Sequence, residues 1–143
     1  MRRSDLDRVM VVNHQSFAHP WSADLIRREL LHDWSTILLA VEEGAEGEVL
    51  LGFIVFWLIH DEVHVLNVAV AREHRRRGIA RALMVEAAER GRARKARLVT
   101  LEVRAGNAPA IALYRQLGYR DVAVRPRYYA EENEDAIVME LAL

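Results

Sequence analysis

A basic turn between an apolar stretch and an alternating segment has the composition of an anion site. Val and Leu dominate residues 63–70, with no Gly or Pro, which predicts a buried strand. From Ile79 onward apolar residues recur at helical spacing. The predicted helix begins directly after three arginines, Arg75, Arg76 and Arg77, and a glycine, Gly78. A helix start exposes unpaired N–H groups and partial positive charge, and a glycine lets a ligand approach the backbone. The turn is therefore either a phosphate cradle or a solvated basic cap.

Two further side chains could move protons. Glu102 lies late in an alternating strand whose same-face neighbours are Leu98 and Thr100. In this partly apolar setting we expect the pKa of Glu102 to be raised, which suits a general base. The alternative is a rim glutamate paired with Arg104 or another arginine. Tyr114, in a short apolar helix, is either a proton donor or a core tyrosine whose hydroxyl finds a partner at the edge.

The histidines and the basic residues after the third helix predict neither a metal site nor a nucleic-acid site. His60 and His64 lie about 13 Å apart if their segment is a strand, too far to share one ion. The other histidines have no ligand-like spacing. Basic residues 90–97 could contact RNA, but cations at a helix C-terminus are explained by the helix dipole, and no motif of stacking aromatics accompanies them. We therefore expect no metal and no nucleic-acid partner.

Composition narrows the class of protein further. The 143 residues predict one domain, 1–143, with 52% hydrophobic and 29% charged residues and a net charge of −1. The absence of cysteine excludes a disulfide framework and a thiol nucleophile, and it fits a reducing compartment. No apolar run approaches the roughly 18 residues of a membrane span, and the charged N-terminus is unlike a signal peptide. These features predict a cytoplasmic protein without a membrane partner.

The elements that must position these residues follow from periodicity and caps. Helices are predicted over residues 5–17, 23–31, 79–91 and 108–117, with Ser4, Ser22 and Asn107 as N-caps and Gly118 ending the last one. Strands are predicted over residues 35–41, 49–59, 63–70, 98–103, 119–124 and 136–141, with a short strand possible at residues 1–3. Trp21 is expected to pack between the first two helices, or else to stand at a groove mouth. This order predicts an α+β protein of three layers, with a mixed sheet between helices.

Four motifs in order resemble a known family over nearly the whole chain. Arg75-Arg-Arg-Gly78-Ile-Ala80 after Asn67-Val-Ala-Val70 is similar to the acetyl-CoA signature of the GNAT N-acetyltransferases. LEVRAGN (101–107), AIALYRQLGY (110–119) and the stretch from Arg125 to Ala136, together with HPWS (19–22), resemble the RimI family, which acetylates the N-terminal alanine of a ribosomal protein. The resemblance implies the GNAT fold, with six or seven mostly antiparallel strands and helices on both faces, and a first strand that is truncated or absent.

The same resemblance implies roles for residues. Acetyl-CoA is the implied co-substrate. Glu102 is the implied general base, directly or through a water, and Tyr114 the implied general acid. The coenzyme-binding residues would be Val68, Ala69, Val70, Arg75, Arg76, Arg77, Gly78, Ile79, Ala80, Arg81 and Asn107. The residues shaping the acceptor slot would be Trp21, from the HPWS motif, and Tyr128, Tyr129, Glu134 and Asp135, from a loop between the last two strands.

Three functions remain open at this point. The first is transfer of acetyl to the N-terminal amine of a peptide, with a ribosomal protein as the expected partner and a monomer or weak dimer as the expected state. The second keeps acetyl-CoA but uses a small amine as acceptor. The third is a module that binds acetyl-CoA without turnover, against which the presence of both Glu102 and Tyr114 argues.

Overall fold

Six strands and four helices make up the computed structural model, which describes residues 1–143. The strands are β1 (Ser35–Gly44), β2 (Gly47–Ile59), β3 (Glu62–Val70), β4 (Leu98–Arg104), β5 (Arg120–Tyr129) and β6 (Glu134–Ala142). The helices are α1 (Leu6–Ser16), α2 (Ala23–Glu29), α3 (Ile79–Ala93) and α4 (Ala108–Gln116). None of these helices is both long and apolar enough to cross a membrane.

The strands form one mixed sheet in the order β1-β2-β3-β4-β6-β5. Two-residue turns join β1 to β2 and β2 to β3, so these neighbours are antiparallel. β3 and β4 are parallel, because α3 carries the chain back across the sheet between them. The predicted α+β architecture with a mostly antiparallel sheet of about six strands is confirmed.

Each face of the sheet has its own core. On one face α3 and α4 pack against β2, β3 and β4 through a cluster that includes Phe56, Val65, Met84, Leu101 and Tyr114. On the other face α1 and α2 cover β1, β2 and the end of β3 through a cluster that includes Val9, Ile26, Phe53, Val55 and Ala69. Helices therefore lie on both faces, as predicted.

The parallel pair β3–β4 is short, and this opens the sheet. Cα pairing runs only from Glu62↔Leu98 to Val65↔Leu101, although β3 continues to Val70 and β4 to Arg104. The β2–β3 register skips one residue at the same place, because Val55 pairs with Asn67 and Phe56 with Val65. Leu66 is the extra residue of this β-bulge. A bulge bends its strand and changes which residues face each side, and β3 leaves β4 at this position.

Local caps agree with the sequence except at the first helix. The Ser22 hydroxyl accepts a hydrogen bond from the Leu25 amide at 3.2 Å, and the Asn107 side chain accepts one from the Ala110 amide at 3.3 Å. Gly118 follows α4 with a φ of 99°. The prediction of Ser4 as a cap was wrong. Ser4 lies in a short 3₁₀ turn, and the buried Asp5 carboxylate there accepts a hydrogen bond from the Arg2 amide at 2.7 Å.

The two ends of the chain also differ from the prediction. Residues 1–3 form no strand, and the terminal amino group of Met1 donates instead to the Ile37 carbonyl at 3.1 Å. At the other end, the predicted tyrosine-bearing loop is mostly strand, because β5 continues to Tyr129 and β6 begins at Glu134. A bulge between Arg125 and Tyr129 breaks the regular pairing there, which explains why this segment reads as a loop.

We expect Gly52→Ala to destabilise the fold, because a Cβ at this position on β2 would lie 2.6 Å from the Ala69 carbonyl oxygen of β3. The backbone of β2 or β3 must shift to make room for this methyl group, and overpacking of this kind lowers the free energy of unfolding by about 1–3 kcal/mol. Urea unfolding of the variant should show a lower midpoint with an unchanged slope. An unchanged midpoint would show that β2 and β3 can separate at this point without cost.

Candidate active site

A cavity of about 530 Å³ lies where β3 and β4 separate. Its walls come from the α1–α2 segment, the two diverging strands, α4 and the β5–β6 loop. The lining includes Phe17, Trp21, Val68, Glu102, Arg104, Asn107, Tyr114, Tyr129, Glu131 and Glu132. A gap between two strands gives access from both faces of the sheet, so side chains of both cores reach one space.

Glu102 and Tyr114 reach this space from opposite faces of the sheet. Tyr114, on α4, belongs to the core cluster that also contains Leu101 and Val103 of β4. Glu102 lies between these two residues, and since successive side chains of a strand point to opposite faces, it faces the other way. The gap between β3 and β4 therefore places a carboxylate and a phenol on either side of one cavity.

His64 is the main partner of the Glu102 carboxylate. His64 Nε2 donates to Glu102 Oε2 at 2.9 Å, since an ionised carboxylate only accepts. Arg125 Nη2 lies 3.7 Å from Glu102 Oε1, beyond hydrogen-bond range. The hydrogen bond from His64 lowers the pKa of Glu102 below its ordinary value, burial opposes this, and the charges of His64 and Arg125 lower the pKa further. The expectation of a raised pKa was wrong, because the hydrogen bond from His64 and the nearby charges outweigh the effect of burial.

Tyr114 holds its proton firmly. The side chain is buried, and burial, with a smaller contribution from Tyr129, raises the pKa of Tyr114 to about 12. Tyr129 stands nearby under the Arg104 guanidinium, which lies 4.0 Å from the ring centroid. Burial also raises the pKa of Tyr129, while the charge of Arg104 opposes this. Both phenols are therefore neutral at pH 7, and each can donate a hydrogen bond into the cavity.

The basic turn before α3 has the backbone geometry of an anion cradle. Gly78 precedes α3 with a φ of 78° and has no side chain to cap the helix, and the first turn of α3 contains no acidic residue. The first amides of α3 therefore keep no intrahelical partner. Arg76 also has a positive φ of 64°, so the chain curls tightly just before the helix. The backbone of this turn therefore offers the free N–H groups that the predicted anion site would need.

Most arginine side chains of the turn are already engaged elsewhere. Arg77 binds Glu42 at 3.0 Å, and Arg81 donates to Gln116 at 2.9 Å. Arg75 donates to the Val70 and Gln15 carbonyls, both at 3.4 Å, which ties the turn to the end of β3 and to α1. These contacts hold the shape of the turn and leave its first helical amides without side-chain partners.

The mouth of the cavity lies between the α1–α2 segment and the β5–β6 loop. His19 joins them, with Nδ1 at 2.7 Å from Glu131 and Nε2 at 2.9 Å from Glu132. These three side chains lie close enough to hold a metal ion, a grouping that sequence spacing did not reveal. Each ring nitrogen of His19 contacts a different carboxylate, so the cluster bridges the α1–α2 segment and the β5–β6 loop through side-chain contacts.

The predicted site residues fall into three groups. Those that line the cavity are Trp21, Val68, Glu102, Asn107, Tyr114 and Tyr129. Trp21 does this while packing against the α1–α2 core, so both expected roles apply. Ala69 and Val70 continue β3 beyond the cavity, toward the cradle of Arg75, Arg76, Arg77, Gly78, Ile79, Ala80 and Arg81.

Three predicted acceptor residues lie outside the cavity lining. Glu134 accepts a hydrogen bond from the Gly106 amide at 3.0 Å, and Asp135 accepts one from the Arg127 amide at 2.9 Å. Tyr128 packs edge-on against Tyr129, with ring centroids 5.1 Å apart. These carboxylates hold the backbone around the site.

Sequence reasoning missed His64, Arg125 and His19. His64 was considered only as a metal ligand together with His60. Yet both His64 and Glu102 lie in predicted strands, and in the structure His64 pairs with Thr100, two residues before Glu102. The proximity of His64 to Glu102 depends on the parallel register of β3 and β4, which the sequence does not specify.

Comparison with known proteins points to one family. A family model described as Acetyltransferase (GNAT) family matches residues 6–119. A relative from Bacillus subtilis (strain 168) is 32% identical over 139 residues, which cover 97% of this chain and 90% of the relative. The ribosomal protein bS18-alanine N-acetyltransferase of Escherichia coli (strain K12) is 30% identical over 145 residues, covering 100% of this chain and 95% of that protein.

The fold agrees with these relatives. The crystal structure of the ribosomal-protein-S18-alanine N-acetyltransferase from Escherichia coli matches with a TM-score of 0.88 at 29% identity, over 99% of this chain and 90% of that one. The family model covers most of the chain, and relatives at 30% identity or more span nearly all of it. This chain therefore belongs to the GNAT acetyltransferase family, whose members use acetyl-CoA, and it is an N-acetyltransferase.

Proposed function

We propose that this enzyme, acting as a single domain over residues 1–143, transfers acetyl from acetyl-CoA to the N-terminal α-amine of a protein. The observation that carries the proposal is the cavity between β3 and β4, which has Glu102 on one side and Tyr114 on the other. Transfer between an amine and a thioester needs a proton acceptor near the amine and a proton donor near the sulfur.

The chain fits the coenzyme in two places. The amides at the start of α3 suit a pyrophosphate, because a helix N-terminus with a glycine at its cap attracts and accommodates phosphate. The edge of β3 beyond Val65 has no partner in β4, so Val68 and Val70 offer backbone groups to an extended ligand arm. Asn107 lines the cavity near the pocket of Tyr114, where the arm would end.

Glu102 removes a proton from the acceptor, directly or through a water. An α-amino group has a pKa near 8 and is mostly protonated at pH 7, so it must lose a proton before it attacks the thioester. Glu102 Oε2 is occupied by His64, while Oε1 has no partner within hydrogen-bond distance. Oε1 is therefore the proposed base atom.

Tyr114 supplies a proton to the departing thiolate. Its raised pKa of about 12 keeps the hydroxyl protonated throughout the neutral range, so the proton is available in each turnover. The chain has no cysteine, and the proposed route is direct attack without an acyl-enzyme.

The acceptor enters between the α1–α2 segment and the β5–β6 loop. Trp21 and Tyr129 line this part of the cavity, and Tyr128, Glu134 and Asp135 shape the strand ends behind it. We propose an N-terminal alanine of a ribosomal protein as the acceptor, by similarity to the relatives named for that reaction.

The proposal is tested by mass spectrometry of a peptide that copies the N-terminus of ribosomal protein bS18, incubated with acetyl-CoA and the enzyme. A gain of about 42 Da confined to the α-amine supports it. The control is the same peptide with a blocked α-amine, which should gain nothing. No gain on the free peptide, with acetyl-CoA still bound, would favour a small amine as acceptor.

Glu102→Gln should lower kcat by about a hundredfold or more, because an amide cannot take the proton of the amine. Acetyl-CoA binding should persist, since Glu102 is remote from the cradle. Glu140→Gln is the matched control, because Glu140 is a glutamate of β6 opposite Thr100 and outside the cavity lining. Steady-state kinetics of both variants distinguish them, and full turnover by Glu102→Gln would exclude Glu102 as the base.

Tyr114→Phe should also lower kcat by about a hundredfold, because the thiolate loses its proton donor. Tyr119→Phe is the control, since Tyr119 packs against Tyr114 with ring centroids 5.9 Å apart and its buried hydroxyl has no partner. Removing that hydroxyl should leave both turnover and stability intact or slightly improve stability. Equal losses of kcat in both variants would point to packing instead of proton donation.

Gly78→Ala should weaken acetyl-CoA binding by about tenfold, because a side chain at this φ strains the turn that presents the amides. Gly47→Ala is the matched control, because Gly47 in the β1–β2 turn also has a positive φ, 112°, and at both glycines a Cβ would meet no atom within 4 Å. Calorimetric titration with acetyl-CoA should show weaker binding only for Gly78→Ala. Similar affinities for both variants would place the pyrophosphate elsewhere.

A further inference from the structure

His64 is held in one orientation beside Glu102. It pairs with Trp57 in the β2–β3 register, and the two rings meet edge-on with centroids 6.2 Å apart. The Trp57 indole is itself anchored, because its Nε1 donates to Glu29 Oε2 of α2 at 2.8 Å. The imidazole therefore has little freedom except to point Nε2 at Glu102 Oε2.

His64 acts on the cavity only through Glu102. The cavity lining includes Glu102 but not His64. About 34% of the His64 side chain is exposed against 12% for Glu102, so the imidazole can exchange protons with solvent while the carboxylate is sheltered. Histidine is the side chain whose charge ordinarily changes between pH 5 and 8.

The charge of His64 changes what Glu102 can do. Neutral imidazole and imidazolium can both donate Nε2–H to Oε2, so the geometry is the same in the two states. The imidazolium stabilises the carboxylate and weakens it as a base. Together with Arg125 of β5, it also cancels the negative charge that would attract an α-ammonium group. The other acidic group of this network, Glu29, accepts its hydrogen bond from the Trp57 indole and not from the imidazole.

We propose that His64 is a positioning residue that orients Glu102 and, through its own protonation, switches the enzyme off at acidic pH. This inference rests on the proposed function, because it assigns a regulator to the proposed base. The proton of the acceptor still moves to Glu102 Oε1, and the proton of His64 stays on Nε2 throughout the reaction.

The test compares the pH dependence of kcat/KM for wild type, His64→Gln and His64→Ala on the acceptor peptide. In wild type, two protonations oppose the reaction, that of the acceptor amine and that of His64. The slope of log kcat/KM against pH should therefore rise from one toward two as the pH falls into the acidic range. A glutamine places an amide N–H near the position of Nε2 but cannot ionise, so His64→Gln should keep a slope of one.

His64→Ala separates orientation from charge. It should lower kcat at pH 8 by about tenfold to a hundredfold, because the carboxylate loses the donor that orients it. His64→Gln should restore most of this loss and keep the wild-type melting temperature. His60→Asn is the control, because His60 is an exposed histidine in the β2–β3 turn, where asparagine tolerates the positive φ of 54°. It should behave as wild type.

A second readout does not require turnover. The Glu102 side-chain carboxyl ¹³C shift, followed from pH 2.5 to 7, should titrate at higher pH in both His64 variants than in wild type, and most in His64→Ala. A slope of two that persists in His64→Gln, a slope of one in wild type, or an unchanged Glu102 titration would each overturn the inference. If wild type transfers no acetyl group, the proposed function fails, while the carboxyl titration still tests the coupling of His64 to Glu102.

Discussion

The separation of β3 from β4 is the constraint on which the site depends. Four paired positions hold the strands together, and the bulge at Leu66 then turns β3 away. An unpaired strand edge inside a protein needs hydrogen-bond partners, so this gap suits a ligand with an extended polar arm. It also joins the two faces of the sheet, which lets a residue of the α4 core and a residue of the opposite face meet across one cavity.

The turn before α3 and the surroundings of Glu102 have opposite electrostatic arrangements. In the turn after β3 the proposed anion donors are backbone amides, and most nearby arginine side chains bind other groups of the protein. Around Glu102 the arrangement is the reverse, because the side chains of His64 and Arg125 face a sheltered carboxylate. These neighbours lower the pKa of Glu102, so the contacts that orient the carboxylate also set its basicity in the proposed reaction.

The mouth of the cavity is held by ion pairs between segments distant in sequence. His19 spans Glu131 and Glu132, while Arg104 of β4 contacts Glu132 at 3.0 Å and stacks on Tyr129. These contacts join the α1–α2 segment, β4 and the β5–β6 loop around the opening. The carboxylates of Glu134 and Asp135 support the same region from behind through backbone amides.

The sequence alone determined the features that depend on near neighbours. Periodicity placed the helices and most strands, the caps at Ser22, Asn107 and Gly118 follow from local hydrogen bonding and φ, and the motif around Gly78 indicated both the anion turn and the family. The tertiary structure decided what depends on register. The parallel pairing of β3 with β4 and the one-residue bulge at Leu66 bring His64 to Glu102. For this reason the strand neighbours of Glu102 alone predict the wrong direction for the shift of the Glu102 pKa. Register is set by packing between segments far apart in the chain, and local sequence carries little of that information.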